Sequence, residues 1–194
     1  MQLGMIGLGR MGNGMTKRLE EKGHEVKTYD PKVPSTAKTL GALKRQLDAP
    51  RHVWMMIPAG EITEKTFQQL VKILEPGDTI IDGGNSNFRD SQRRYKEARK
   101  AKISFVDVGV SGGIWGLEVG FCLMAGGDKA TAKRLHDDIV SVGKSTHEPA
   151  VALGRDELDG DRRILKFAVL SLRTRLAIHV GAAIRVQKRR RRDQ

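Results

Sequence analysis

A single cysteine, Cys122, rules out any disulfide within the chain. It stands in the apolar run Phe121-Cys122-Leu123-Met124 with no histidine near it, so it reads as a buried core thiol and not a nucleophile. Aromatic residues make up only 5% of the sequence, and no stacking platform for nucleic acid is evident. No apolar run approaches the length of a membrane span. The first strand starts at residue 2 or 3, which leaves no room for the charged and apolar regions of a secretory signal. The expectation is a cytoplasmic protein. Its 194 residues, 39% hydrophobic and 30% charged, suit one globular domain with an appendage.

Negative charge is the scarcer sign, 23 Asp/Glu against 35 Lys/Arg, for a net charge of +12. The excess gathers at one end: residues 155–194 hold twelve Lys/Arg and five Asp/Glu. The run Arg185-Val186-Gln187-Lys188-Arg189-Arg190-Arg191-Arg192 would attract phosphate without sequence preference. With no nucleic-acid-binding fold around it, it reads as a solvated, poorly ordered tail, and nucleic acid is not the expected partner.

What the sequence does have is glycine in informative places. The apolar run Leu3 to Ile6 reads as a buried strand and leads directly into Gly7-Leu8-Gly9-Arg10-Met11-Gly12. A helical pattern follows, with Met11, Met15 and Leu19 on one face. In this setting the first glycine makes the tight turn, the second lets a pyrophosphate approach the backbone, and the third lets helix and strand pack closely. The helix N-terminus offers free N–H groups to the phosphates. Glu25 to Tyr29 reads as a second strand, and Asp30 ends it. An acid at this distance is where the ribose hydroxyls of NAD are read.

Further along, Ser35 is placed to cap a helix through Leu47, with Leu40, Leu43 and Leu47 inward. His52 to Ile57 reads as a strand buried on both faces, stopping at Pro58-Ala59-Gly60. A helix is expected from Thr63 to Leu74, a strand over Thr79-Ile80-Ile81, and a helix from Phe88 to Lys100. That last helix is so basic (Arg89, Arg93, Arg94, Lys96, Arg99, Lys100) that it reads as a solvated face. A fifth strand is expected over Ile103 to Val108, a sixth over Phe121 to Ala125, and a final helix from Asp128 to Val142. The alternation predicts an α/β fold, a Rossmann-like doubly wound parallel sheet with right-handed crossovers, followed by an irregular basic C-terminal tail. Residues 1–142 would form the NAD-binding domain and 143–194 the tail.

Polar glycine loops follow Ile6, Ile81 and Val108, and a parallel sheet would bring all three to one edge. One would hold the cofactor. The others carry Asn85, Ser86, Ser111 and the backbone N–H groups of Gly112 and Gly113, which suit a polyhydroxylated or anionic small molecule. The alternative is that these are turn residues only.

Four blocks together resemble 6-phosphogluconate dehydrogenase of the decarboxylating kind, in its shorter bacterial branch. They are Gly7 to Gly12, Met56-Ile57-Pro58-Ala59-Gly60, Ile81-Asp82-Gly83-Gly84-Asn85-Ser86, and Asp107 to Glu118. The resemblance covers about residues 1–142. It implies oxidative decarboxylation of 6-phosphogluconate to ribulose 5-phosphate, in pentose phosphate and gluconate metabolism. By motif position, Gly7, Leu8, Gly9, Arg10, Met11 and Gly12 would bind the pyrophosphate, Asp30 the adenosine ribose, and Pro58, Ala59 and Gly60 would line the cofactor cleft. Asn85, Ser111, Gly112 and Gly113 would bind the sugar acid phosphate. Asp30 favours NAD, since a carboxylate repels a 2′-phosphate, while nearby Lys32 leaves NADP open.

The family's catalytic lysine stands in a Lys-Met-Val-His-Asn-like helix beyond the cofactor domain, and a helical domain that forms the homodimer follows. Neither is found here. Lys166 sits in an apolar run but no His-Asn follows it, and His147 and His179 have no partner at a recognisable spacing. No catalytic residue is identified. Two expectations stand beside each other: an NAD-linked dehydrogenase by family, or an NAD-binding fragment whose catalytic half is lost to truncation or a shifted reading frame.

Overall fold

The computed structural model describes residues 1–128, Thr131 and Leu135. The strands are β1 (Gln2–Ile6), β2 (Glu25–Tyr29), β3 (His52–Met55), β4 (Thr79–Asp82), β5 (Ser104–Ser111) and β6 (Cys122–Gly127). The helices are α1 (Arg10–Glu21), α2 (Leu40–Arg45), α3 (Glu61–Ile73), α4 (Phe88–Lys100) and α5 (Gly116–Val119), with a 3-10 turn over Gly113–Trp115. They build one six-stranded sheet in the order β2-β1-β3-β4-β5-β6. No helix among the described residues is long and apolar enough to cross a membrane.

Neighbouring residues on each central strand feed two separate cores. Met5, Trp54, Ile81 and Val106 pack on one face with Met15 and Leu19 of α1. Ile6, Val53, Met55, Ile80 and Phe105 pack on the other with Leu43 of α2 and Phe67 and Leu70 of α3. Side chains alternate across a strand, so a continuous apolar run is what a sheet covered on both faces requires. Phe67 meets Phe105 edge to face, centroids 5.7 Å apart, worth about 1 kcal/mol beyond the area buried.

The sheet is Rossmann-like and predominantly parallel, as expected, and five details are corrected. The sheet is not wholly parallel, because β6 runs antiparallel to β5, with Ser111 opposite Cys122 and Val106 opposite Gly127. A parallel return needs a crossover over the sheet face. Here the short link packs on α1 instead: Phe121 and Leu117 lie against Gly14, and the Arg18 guanidinium donates to the Leu117 carbonyl at 2.9 Å. The same pairing carries β5 three residues past Val108, which places Ser111 on the strand and not in a loop.

The helix expected from Ser35 begins only at Leu40, capped by the Thr39 hydroxyl, which accepts from Ala42 N–H. Ser35 is engaged elsewhere, donating to the Ala37 carbonyl at 2.9 Å. Residues 35–37 instead run beside β2, through Thr28–Thr36 hydrogen bonds and a Tyr29–Ala37 bridge. The third strand stops at Met55, short of Ile57. Finally, α4 is not solvated throughout: Arg94 is 1% exposed. The Cys122 side chain, the helix expected over 128–142, His147, Lys166, His179 and the basic tail lie outside the described residues.

Candidate functional site

The parallel register puts the carboxyl ends of β1, β3 and β4 in one row, with Asp107 of β5 beside them. Ile6 stands opposite Met55, Met55 opposite Asp82, and Asp82 opposite Asp107. The chain direction of the crossovers reverses between β1 and β3, and in open α/β sheets ligands bind outside the carboxyl ends at that switch point.

The three glycines of the turn after β1 meet different surroundings, and each suits a different need of a bound dinucleotide. Gly7 has φ +91°, and a Cβ there would lie 2.5 Å from the Met56 carbonyl oxygen. A Cβ on Gly12 would collide with the Gly7 carbonyl oxygen, so the helix can only sit this close to the turn with glycine there. Gly9 differs from both: a Cβ would meet nothing within 4 Å. Its surface is open space, which is where a phosphate group needs room. Gly9 is also the N-cap of α1, and no side chain caps the helix, so its first N–H groups are left for a ligand. Leu8 and Met11 are half-buried and rest on the core below the turn, while Arg10 is exposed.

Asp30 is tied to the same turn. Its carboxylate accepts from Leu8 N–H at 2.7 Å and from Lys32 N–H at 2.7 Å. Partial burial pushes this carboxyl up, but the N–H groups of Leu8, Lys32 and Val33 outweigh it and hold the carboxyl below its ordinary value. Pro58, Ala59 and Gly60 are exposed at the end of β3. The Thr63 hydroxyl donates to the Pro58 carbonyl at 2.8 Å, and Gly60, at φ +105°, starts α3.

The loop after β4 is built around a buried acid. Asp82, wholly buried, accepts from Gly84 N–H at 3.0 Å and from the Ser86 hydroxyl at 2.8 Å. Asn85 adopts φ +55°, and its side chain pairs with the backbone of Val110: the Asn85 amide donates to the Val110 carbonyl at 3.2 Å and its oxygen accepts from Val110 N–H at 3.0 Å. This ties the loop after β4 to the end of β5. Of the Asn85 amide, one N–H and one lone pair remain for a ligand. Ser111 is exposed at the end of β5, followed by Gly112 at φ +144° and Gly113 at φ +50°. The structure therefore brings Asn85 together with Ser111, Gly112 and Gly113.

Sequence reasoning missed what lies beneath that loop. The Arg94 guanidinium donates to Asp82 at 3.0 Å, to Glu64 of α3 at 3.0 Å and to the Ser86 hydroxyl at 3.1 Å. Arg93 holds Glu64 from outside, and chiefly through it the Glu64 carboxyl falls to about 2. Asp107, beside Asp82, is pushed up to about 6 by burial and then by the Asp82 charge, against the Ser91 hydroxyl and Arg94. One signal was available: Ser91, Arg94 and Ala98 share a helical face otherwise made of small residues.

Comparison with known proteins converges on one family. Residues 2–151 match the family described as the NAD binding domain of 6-phosphogluconate dehydrogenase. An NAD-dependent decarboxylating 6-phosphogluconate dehydrogenase from Haloferax volcanii is 36% identical over 159 residues, 76% of this chain and 52% of the relative. A Bacillus subtilis enzyme of the same description is 35% identical over 141 residues, 66% of this chain and 30% of the relative. The chain thus spans about half or less of the length of the relatives it matches. Plasmodium falciparum 6-phosphogluconate dehydrogenase superposes with a TM-score of 0.70 at 28% identity, over 76% of this chain and 35% of that one. Mycobacterium tuberculosis 3-hydroxyisobutyrate dehydrogenase, at 24% identity and a TM-score of 0.61, shares the fold.

Proposed function

Since the chain belongs to the family of the NAD binding domain of 6-phosphogluconate dehydrogenase, we propose that it holds NAD on the Gly7–Gly12 turn and binds 6-phosphogluconate beside it, as the cofactor half of an oxidative decarboxylation to ribulose 5-phosphate. The observation that carries this reading is the Asn85–Val110 tie. It ties the loop after β4 to the end of β5, from which Ser111 to Gly113 follow, on the sheet edge that also bears the open face of Gly9. When bound, NAD would supply the hydride acceptor. The protein's part is placement. Gly9 and the uncapped α1 N-terminus receive the pyrophosphate, Asp30 the ribose hydroxyls, and Pro58 to Gly60 border the cleft. Ser111, Gly112, Gly113 and the free capacity of Asn85 take the sugar acid's hydroxyl and carboxylate oxygens.

The sequence has no Lys-x-x-His-Asn run anywhere in its 194 residues. General base catalysis needs a positioned group, so binding without turnover is the expected behaviour of this chain alone. NAD at a hundred times its Kd should stabilise the fold by about 2.7 kcal/mol and raise Tm accordingly. Calorimetry with NAD present should detect 6-phosphogluconate. No NADH should accumulate from the two together. A Tm indifferent to NAD sinks the cofactor reading, and NADH formation would reveal a base in this chain.

Cofactor choice tests Asp30 separately. Asp30→Asn keeps an oxygen for one backbone N–H but removes the charge. NAD affinity should fall about tenfold, roughly 1.4 kcal/mol, while NADP affinity holds or rises. An unchanged NAD-to-NADP ratio would remove Asp30 from the ribose site.

A further inference from the structure

We propose that Arg94 is the positioning residue for the sugar-acid side of the cleft: it holds the Asp82–Ser86 loop from beneath, and through Asn85 sets the end of β5 from Val110 to Gly113. This rests on the functional reading above.

The contacts form an unbroken path. Arg94 bonds Asp82 and Ser86, at the two ends of the loop. Asp82 fixes Gly84 N–H in between. Gly84 is wedged so closely that a Cβ would stand 2.6 Å from the Ile57 carbonyl oxygen. Between these anchors Asn85 is held at φ +55°, left-handed backbone that asparagine tolerates better than most side chains. Its side chain then takes both backbone groups of Val110. Ser111, Gly112 and Gly113 follow immediately.

Stability alone does not account for this charge. Apolar replacement of a buried ion pair is often neutral or stabilising, and a methionine would fill the same space without desolvating a guanidinium. What methionine could not do is bind a loop at two points and a neighbouring helix at a third. The planar fork of arginine does that, and a lysine's point charge does it only in part. Asp107, next to Asp82, adds a second acid that the same cation faces.

The test uses the full chain, isotope-labelled, with NAD and 6-phosphogluconate as probes. Arg94→Met leaves Asp82 buried without its partner, so the double variant Asp82→Asn/Arg94→Met, which removes both charges, is made beside it. In both, NAD affinity should stay within about threefold of wild type, while 6-phosphogluconate affinity falls at least about tenfold. The NMR signals of the Val110 amide and the Asn85 side-chain amide should move. Arg94→Lys should recover part of the sugar-acid affinity. Unmoved signals with unchanged 6-phosphogluconate affinity overturn the proposal, as does an equal loss of both ligands in the double variant. A wild-type chain that binds NAD but not 6-phosphogluconate refutes the functional reading instead. The Val110 and Asn85 signals then decide the role of Arg94: displaced in the variants they support it, unmoved they refute it.

Discussion

Gly9→Ala should leave the fold nearly intact and cost NAD binding on the order of a hundredfold, about 2.7 kcal/mol. Gly12→Ala should lose both. The difference comes from what each added Cβ meets. At Gly9 nothing lies within 4 Å, and the backbone, at φ −61° and ψ −177°, is one alanine adopts freely. The folding cost is limited to the poorer N-cap, about 1 kcal/mol, and Tm should fall by no more than a few degrees. The new methyl group stands where the phosphates must reach the helix N-terminus, so the penalty falls on the ligand. At Gly12 the Cβ would overlap the Gly7 carbonyl oxygen, which is backbone and cannot swing aside. Gly7 is itself confined, at φ +91° and against the Met56 carbonyl. The helix must lift from the turn, at about 3 kcal/mol of stability and with the cradle dismantled. Thermal melts with and without NAD separate the two. Equal destabilisation by both variants would contradict the open face of Gly9.

Much of this site was legible because its requirements are local. A tight turn, a close helix approach and an open backbone each demand glycine at a fixed step, and an acid ending the next strand needs only the strand to be recognised. The strand Glu25–Tyr29 and the helix Phe88–Lys100 were found at their observed bounds for the same reason. What could not be read depended on distant partners. Ser35 has the right chemistry for an N-cap, but residues 35–37 lie along β2, and Thr39 caps instead. The direction of β6 follows from the link after β5 finding a seat on α1, where Gly14 and Gly116 make room for the Phe121 ring. Six basic residues on α4 look alike in sequence. Arg94 is distinguished only by Asp82 and Glu64, which arrive from β4 and α3. Local rules therefore located the groups that gather at the candidate site, and tertiary contacts supplied the groups that hold them.

The acids around Arg94 give the fold a pH dependence of their own. The Asp107 carboxyl, ordinarily near 3.8, is raised to about 6 by burial and by Asp82 alongside. Between those values the folded chain keeps a proton that the unfolded chain has released, so stability falls as pH rises across this window. Partial exposure discounts the cost, leaving about 2 kcal/mol that Asp107 subtracts at neutral pH. Glu64 acts in the opposite direction. Its carboxyl, ordinarily 4.5, is held at about 2, chiefly by Arg93. That contribution is complete above its ordinary value and is lost as pH falls toward 2. The two slopes meet near pH 4, where this pair contributes most to stability. Asp107→Asn keeps the shape and removes the charge that Asp82 opposes. It should raise stability at neutral pH by about 2 kcal/mol and flatten the arm above pH 4, leaving the acid arm in place. Glu64→Gln should flatten the acid arm and leave the other. Urea melts of the three proteins across the pH range resolve these arms. A decline above pH 4 that persists in Asp107→Asn would assign it to another group and uncouple Asp107 from Asp82.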